Sequence, residues 1–252
     1  MARFKVGIQL RPQHCTMEQL REAWIGADAL GVDSIWTWDH FYPLFGEPDG
    51  SHFECWSILA AIAATTKNAH FGALVTCNSY RNPELLADMA RTTNEISGGR
   101  AILGIGSGWF ERDYTEYGYE FGTAPGRLKA LGEALPRIKS RLAKLNPAAA
   151  DLPIMIGGAG EKVTLRLVAE YAQLWNAMGD PDTYRHKVDV LNEWCAKIGR
   201  DPNEIDRTVM IDNDSLDKVD AYLEAGATHI ILGGNVPFDL TPLKRLLEIS
   251  RG

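Results

Sequence analysis

A strand–helix alternation that recurs about eight times in a chain of 252 residues predicts an α/β protein, a (β/α)8 TIM barrel in one domain spanning residues 1–252. Two observations carry that prediction. Short apolar runs suited to buried parallel strands alternate with amphipathic stretches, several of which stop at glycine (Gly31, Gly98-Gly99, Gly199, Gly226), where a left-handed cap costs least. The first strand runs into Arg11-Pro12-Gln13, not into the glycine loop that opens a doubly wound nucleotide-binding sheet.

The elements follow in order. Phe4 to Leu10 is apolar enough for a buried strand, and Leu20, Trp24, Ala27 and Leu30 recur at helical spacing in Met17 to Leu30. Ile35 to Trp38, β-branched and aromatic, reads as a strand that Pro43 keeps from continuing. Phe53 to Lys67 reads as a helix, Ala69 to Thr76 as a third strand, and Glu84 to Ser97 as a helix opened by Pro83. Arg100 to Gly106 is the fourth strand, and Trp109 to Tyr119 reads as an aromatic and charged loop. A helix from Gly126 to Leu145, disturbed at Pro136, precedes a strand from Pro153 to Ile156. Helices at Glu161–Tyr171, Asp182–Ile198 and Leu216–Ala225 then alternate with strands at Leu174–Met178, Arg207–Ile211 and His229–Leu232, and Leu240 to Ile249 closes the chain.

With 45% hydrophobic residues the chain can bury a large core. A net charge of −7 argues against general affinity for nucleic acid or anionic membrane. Cys15, Cys55, Cys77 and Cys195 are widely spaced, with no Cys-x-x-Cys pair, which fits reduced thiols and neither zinc nor thioredoxin chemistry. The N-terminal residues lack a long apolar stretch, and no run is long enough to span a bilayer. A cytoplasmic protein is expected.

In a barrel, chemistry belongs at the C-terminal strand ends. These ends bring Asp39-His40 together with two glycine-rich segments, Gly104-Ile105-Gly106-Ser107-Gly108 and Gly157-Gly158-Ala159-Gly160-Glu161-Lys162. Small residues let backbone N–H groups approach an anion, and a following helix adds its dipole; a tight βα turn without ligand is the alternative for each loop, but two such loops on adjacent strands favour one extended phosphate-bearing ligand. Trp109 and Phe110 are placed to cover a flat heterocycle and Arg112 to pair with phosphate or carboxylate, unless the segment simply packs over the barrel. The histidines other than His40 show no metal-ligand spacing, and no His-x-His or His-Glu-x-x-His occurs.

Taken together, the motifs are those of a known family. Trp38-Asp39-His40, Leu74-Val75-Thr76, Arg81-Asn82-Pro83, Gly99-Arg100, Leu103 to Trp109, Tyr117 to Phe121, Pro125-Gly126-Arg127-Leu128 and Ile156 to Lys162, with Gly179-Asp180-Pro181 and Gly199-Arg200-Asp201-Pro202, occur in that order over about residues 4–205. On these the chain resembles the luciferase-like monooxygenase superfamily, in particular its branch dependent on coenzyme F420, an 8-hydroxy-5-deazaflavin. The resemblance implies a bacterial-luciferase-like barrel with the deazaflavin at its mouth. Asp39 would then hydrogen-bond the ring system, and His40 would lie beside the reacting carbon as general acid or base. A non-proline cis peptide at Ala73-Leu74 would back the ring, Thr76 would contact it or its tail, Gly157 and Gly158 would surround its phosphate, and Gly106, Gly160 and Arg112 would complete the cofactor site. A small-molecule substrate is implied, and a homodimer is compatible with the resemblance.

Two departures stand out. Where the family's sugar-phosphate dehydrogenases carry a proton-donating glutamate and then a cofactor-touching asparagine, this chain has Trp109 and Arg112. That argues against a sugar phosphate and leaves Glu111 as the substitute acid. The connection Asn146 to Leu152 is shorter than the insert of many relatives. The expected reaction is hydride transfer between deazaflavin and an organic substrate. The alternatives are an FMN-dependent monooxygenase, a cofactor-binding protein with little catalysis of its own, and a hydrolase or lyase using Asp39-His40 alone.

Overall fold

In the computed structural model, which describes residues 2–252, β1 (Lys5–Leu10) pairs in parallel with β2 (Ser34–Thr37) on one side and β9 (His229–Gly234) on the other. From β9 the sheet continues through β8 (Asp206–Ile211), β7 (Leu174–Ala177), β6 (Ile154–Gly157) and β5 (Ala101–Gly106). β3 (His70–Ala73) and β4 (Thr76–Cys77) share one stave between β2 and β5, which closes an eight-stave parallel barrel. Around it lie α1 (Met17–Leu30), α2 (Cys55–Thr65), α3 (Pro83–Ser97), α4 (Glu111–Tyr117), α5 (Ala124–Lys144), α6 (Thr164–Tyr171), α7 (Pro181–Ile198), α8 (Val219–Glu224) and α9 (Thr241–Arg251).

Period-two alternation sorts the strand residues into two cores. Ile35, Leu103, Ile154, Ile156, Ile230 and Leu232 face the helices, while Trp36, Ile102, Met155 and Ile231 meet in the barrel interior with Leu74, Val75 and Met210. The helix boundaries have local causes. Thr16 and Gln19 form a capping box at α1, Asn82 caps α3 just before Pro83, and Gly31, Gly98 and Gly199 adopt the left-handed cap at helix ends.

Several expectations change. The third strand is broken in the middle, with the non-proline cis bond at Leu74-Val75, one residue beyond the expected Ala73-Leu74. Trp109 to Tyr119 contains a helix, α4, too short for a hydrophobic period to reveal. α6 begins at Thr164, three residues after the expected start at Glu161, because residues 161–163 form a turn. The helix expected from Leu216 is a 3-10 segment, Asn213–Lys218, followed by the short α8. α5 runs through Pro136 without a break in its assignment.

Candidate active site

Where the C-terminal strand ends converge there is a cavity of about 420 Å³, within the size range of small-molecule sites. Leu74, Val75 and Met210 give it an apolar wall, and Gln9, Asp39, His40 and Thr76 line it with polar groups.

His40 lies three residues past the end of β2, and its Nδ1 lies 2.7 Å from Asp113 Oδ2. Asp113, fully buried on α4, also accepts from the backbone N–H of Phe41 (3.0 Å), the N–H of Tyr42 (3.2 Å) and the Tyr80 hydroxyl (3.0 Å). Burial pushes the Tyr80 phenol far above its ordinary value, so it stays a donor. With donors on every other side the carboxylate is an acceptor, so the hydrogen between it and the imidazole belongs to Nδ1. Neutral His40 therefore keeps the lone pair on Nε2, which has no protein partner among the described residues, and the side chain lines the cavity. Trp38, Trp109 and Phe110 pack edge-on around the imidazole at centroid distances of 5.8, 5.7 and 5.5 Å.

Asp39 is also buried, but its carboxylate is held differently. Arg81 grips both oxygens at 2.6 and 3.0 Å, and the Cys77 N–H donates to Oδ2 at 3.1 Å. Burial pushes the Asp39 carboxyl above its ordinary value while the Arg81 guanidinium pulls the other way. Arg81 also bonds Glu54, the N-cap of α2, at 2.8 Å. Asp39 thus fixes the second and third strand ends relative to each other while still facing the cavity.

Besides Arg11 Nε, two buried polar atoms in the wall lack a protein partner. Thr76 Oγ1 has none, and Gln9 donates through Nε2 to the Leu74 carbonyl at 3.1 Å but leaves Oε1 unpaired. Burying such atoms unsatisfied is costly, so both suit a ligand edge that presents a donor and an acceptor. Gly106, Gly157 and Gly158 border the same space. Gly158 has φ +125°, and its carbonyl accepts from Trp175 Nε1 at 2.8 Å, which holds the loop open at a conformation side chains rarely adopt.

Three expected site residues lie elsewhere. Ala73 is buried in β3, before the cis bond, and does not line the cavity. Gly160 is exposed beyond the glycine turn, where its carbonyl accepts from Leu165 N–H at 3.0 Å. Arg112 is turned away from the cavity: it pairs with Asp49, bonds the Pro48 carbonyl at 2.6 Å and stacks over Tyr42. Its role here is to pin the β2–α2 loop to α4. Glu111 is exposed at the start of α4 and is likewise absent from the lining, which leaves no acid at the position Trp109 occupies. Sequence reasoning did not single out Asp113, Tyr80 or the binding role of Gln9. Asp113 stands 73 residues from His40, so no spacing rule connects them.

The fold and this mouth define a class: a (β/α)8 barrel with a cofactor-sized cavity and an oriented histidine at the C-terminal strand ends. The luciferase-like monooxygenase family profile matches residues 2–230. The chain belongs to that family. It is 30% identical over 230 residues to 5,10-methylenetetrahydromethanopterin reductase of Methanolobus tindarius, covering 82% of this chain and 67% of that protein. Among solved structures, an F420-dependent secondary alcohol dehydrogenase in complex with an F420-acetone adduct superposes with a TM-score of 0.85 at 17% identity, over 99% of this chain and 100% of that one. The FMN-bound oxygenating constituent of 3,6-diketocamphane monooxygenase from Pseudomonas putida gives 0.74 at 16%, over 100% and 98%. At such identities the structural likeness speaks for the fold alone.

Proposed function

We propose that the chain is a coenzyme F420-dependent oxidoreductase acting on a small organic substrate, with His40 as its general acid or base. The observation that carries this reading is the His40–Asp113 pair: a buried carboxylate holds one ring nitrogen and leaves the other available at the cavity. When bound, the deazaflavin would supply hydride exchange at carbon. Thr76 Oγ1 and Gln9 Oε1 would meet the polar edge of its ring, and Leu74 and Val75 its apolar face. Gly157 and Gly158 would give its phosphate close access to backbone. His40 Nε2 would donate or accept the proton on the substrate oxygen, and Asp113 would keep the imidazole in the productive tautomer throughout. Trp109 and Phe110 would keep water from the imidazole.

The family relationship supports this reading, as does the F420-containing dehydrogenase of like fold. The FMN-bound relative of like fold favours a second reading, a flavin monooxygenase. Titrating the apoprotein with oxidised F420 and with FMN, and following cofactor fluorescence, separates the two. Saturable binding of F420 in preference to FMN is expected. Preference for FMN would replace the proposal with the monooxygenase reading, and binding of neither would remove the redox assignment.

A further inference from the structure

Large apolar side chains exposed singly are ordinary on a protein surface, but three of them here share one opening. Trp109 and Met178 are each 63% exposed and Phe45 is 47% exposed, and all three line the same cavity from different strand ends. Two of them are anchored at the backbone: the Phe45 carbonyl accepts from Gln13 Nε2 at 3.2 Å and is bonded by His14 Nε2 at 2.9 Å. Trp109 follows Gly108, whose φ is +82° and where an added Cβ would overlap the Tyr114 hydroxyl and Cys77 Sγ. The backbone therefore presents both rings at the mouth.

Charge at the mouth points the same way. Arg11 is the one arginine or lysine among the described residues lining the cavity. It is 8% exposed; its Nη1 donates to Asn235 and its Nη2 to Asp212, both at 3.0 Å, and its Nε has no protein partner. Arg112 is held by Asp49, and Arg81 by Asp39 and Glu54. A carboxylate or phosphate on the substrate would lose its water against Trp109 and Phe45 and gain at most the Nε of an arginine whose charge Asp212 already balances, a costly exchange. An alkyl or aryl group there would cover apolar surface that now faces solvent.

We propose that the mouth formed by Trp109, Phe45 and Met178 binds the apolar, uncharged portion of a carbonyl compound or alcohol, whose oxygen reaches His40. This names the substrate class of the site assigned above and rests on that reading. Met178 suits such a role because its flexible thioether fits groups of differing shape.

Equilibrium dialysis of the protein with F420 present tests the proposal, comparing methyl heptyl ketone with nonanoate, which has the same number of carbons but bears a charge. Absorbance of retained F420 is read in the same chamber. The ketone is expected to bind roughly tenfold or more tightly than nonanoate. Trp109→Ala should weaken ketone binding by roughly tenfold, with Trp109→Phe retaining most of it, and Met178→Ala should weaken it by a few-fold. Nonanoate binding as well as the ketone, or ketone binding indifferent to both alanine variants, overturns the proposal. If F420 is not retained but the ketone preference and its loss in Trp109→Ala persist, the apolar mouth stands and the cofactor assignment falls.

Discussion

The two ends of the barrel each hold a histidine against an aspartate, His40 partly and His229 fully buried, and they differ in what happens to the second ring nitrogen. At the C-terminal end, His40 gives Nδ1 to Asp113 and leaves Nε2 without a protein partner beside the cavity. At the N-terminal end, His229 on β9 has Nε2 at 2.9 Å from Ser34 Oγ and Nδ1 at 3.4 Å from Asp206 Oδ2, the latter an ion-pair contact too long for a good hydrogen bond. Ser34 in turn accepts from Trp36 Nε1 at 2.7 Å, and Lys5 reaches Asp206 at 2.8 Å. Burial alone would raise Asp206, but His229, Lys5 and Thr228 together hold its carboxyl well below the carboxylate range. On a list of residues this serine, histidine and aspartate look like a hydrolytic triad. In place the serine is closed off: Ser34 is 1% exposed and its hydroxyl is already used twice. His229 Nδ1 is itself without a hydrogen-bond partner, so what marks this end as a polar plug is the spent serine hydroxyl and not the residue types.

The sharpest way to break that contrast is His40→Ala, which is expected to slow turnover by roughly 10²–10⁴ while F420 affinity is nearly kept; equal activity would take His40 out of the mechanism. Next is Asp113→Asn. An amide can offer Nδ1 a donor where the carboxylate offered only acceptors, so turnover should fall by roughly 10–10³ with an altered pH–rate profile. An unchanged profile would reduce Asp113 to packing.

At the opposite end, Ser34→Ala strips Trp36 Nε1 of its acceptor and His229 of its partner. A loss of about 1–3 kcal/mol in urea unfolding is expected, with turnover of the folded protein intact. A selective loss of turnover without loss of stability would mean that the plug is a second site.

The smallest effect concerns His52, a third histidine, which stacks near Trp38 and accepts its indole N–H at 2.9 Å. Burial, with His40 and His14 acting against the charged form and Asp113 in its favour, depresses it from 6.5 to about 4. Between those values the unfolded chain binds the proton and the folded protein does not, so this ring makes stability fall as pH drops through that window. Allowing for solvent screening, His52→Gln should flatten the decline between neutral pH and pH 4.5 by about 1–2 kcal/mol, read as urea midpoints. Parallel curves for the two proteins would show that His52 does not contribute.

The barrel was largely legible because its signals are local. Glycine stops, proline starts and apolar periods each act within a turn or two, and the structure keeps nearly all of them. The departures arise where local signals are weak or compete. The seven residues of α4 are too few to show a period, and the third strand breaks where Leu74-Val75 turns into the barrel interior. The site was legible only in part. Asp39, His40, Leu74, Thr76, Gly106, Gly157 and Gly158 do border the cavity because strand ends place them there. Arg112 did not follow, because a charge on a loop takes whichever partner the tertiary fold brings, here Asp49. Asp113 was hidden for the converse reason, since its four donors come from two other strand ends.

Trp109 and Asp113 sit four positions apart, on one short connection after β5. One of them shapes the entrance, and the other aligns the imidazole. Under the proposed function, a lineage that lengthened or shortened this connection to admit a bulkier molecule would also shift Asp113 against His40, so selectivity and reactivity would be inherited together. Exchange of Trp109 itself, with the connection kept at its length, is the route by which such a barrel changes its diet without losing its chemistry.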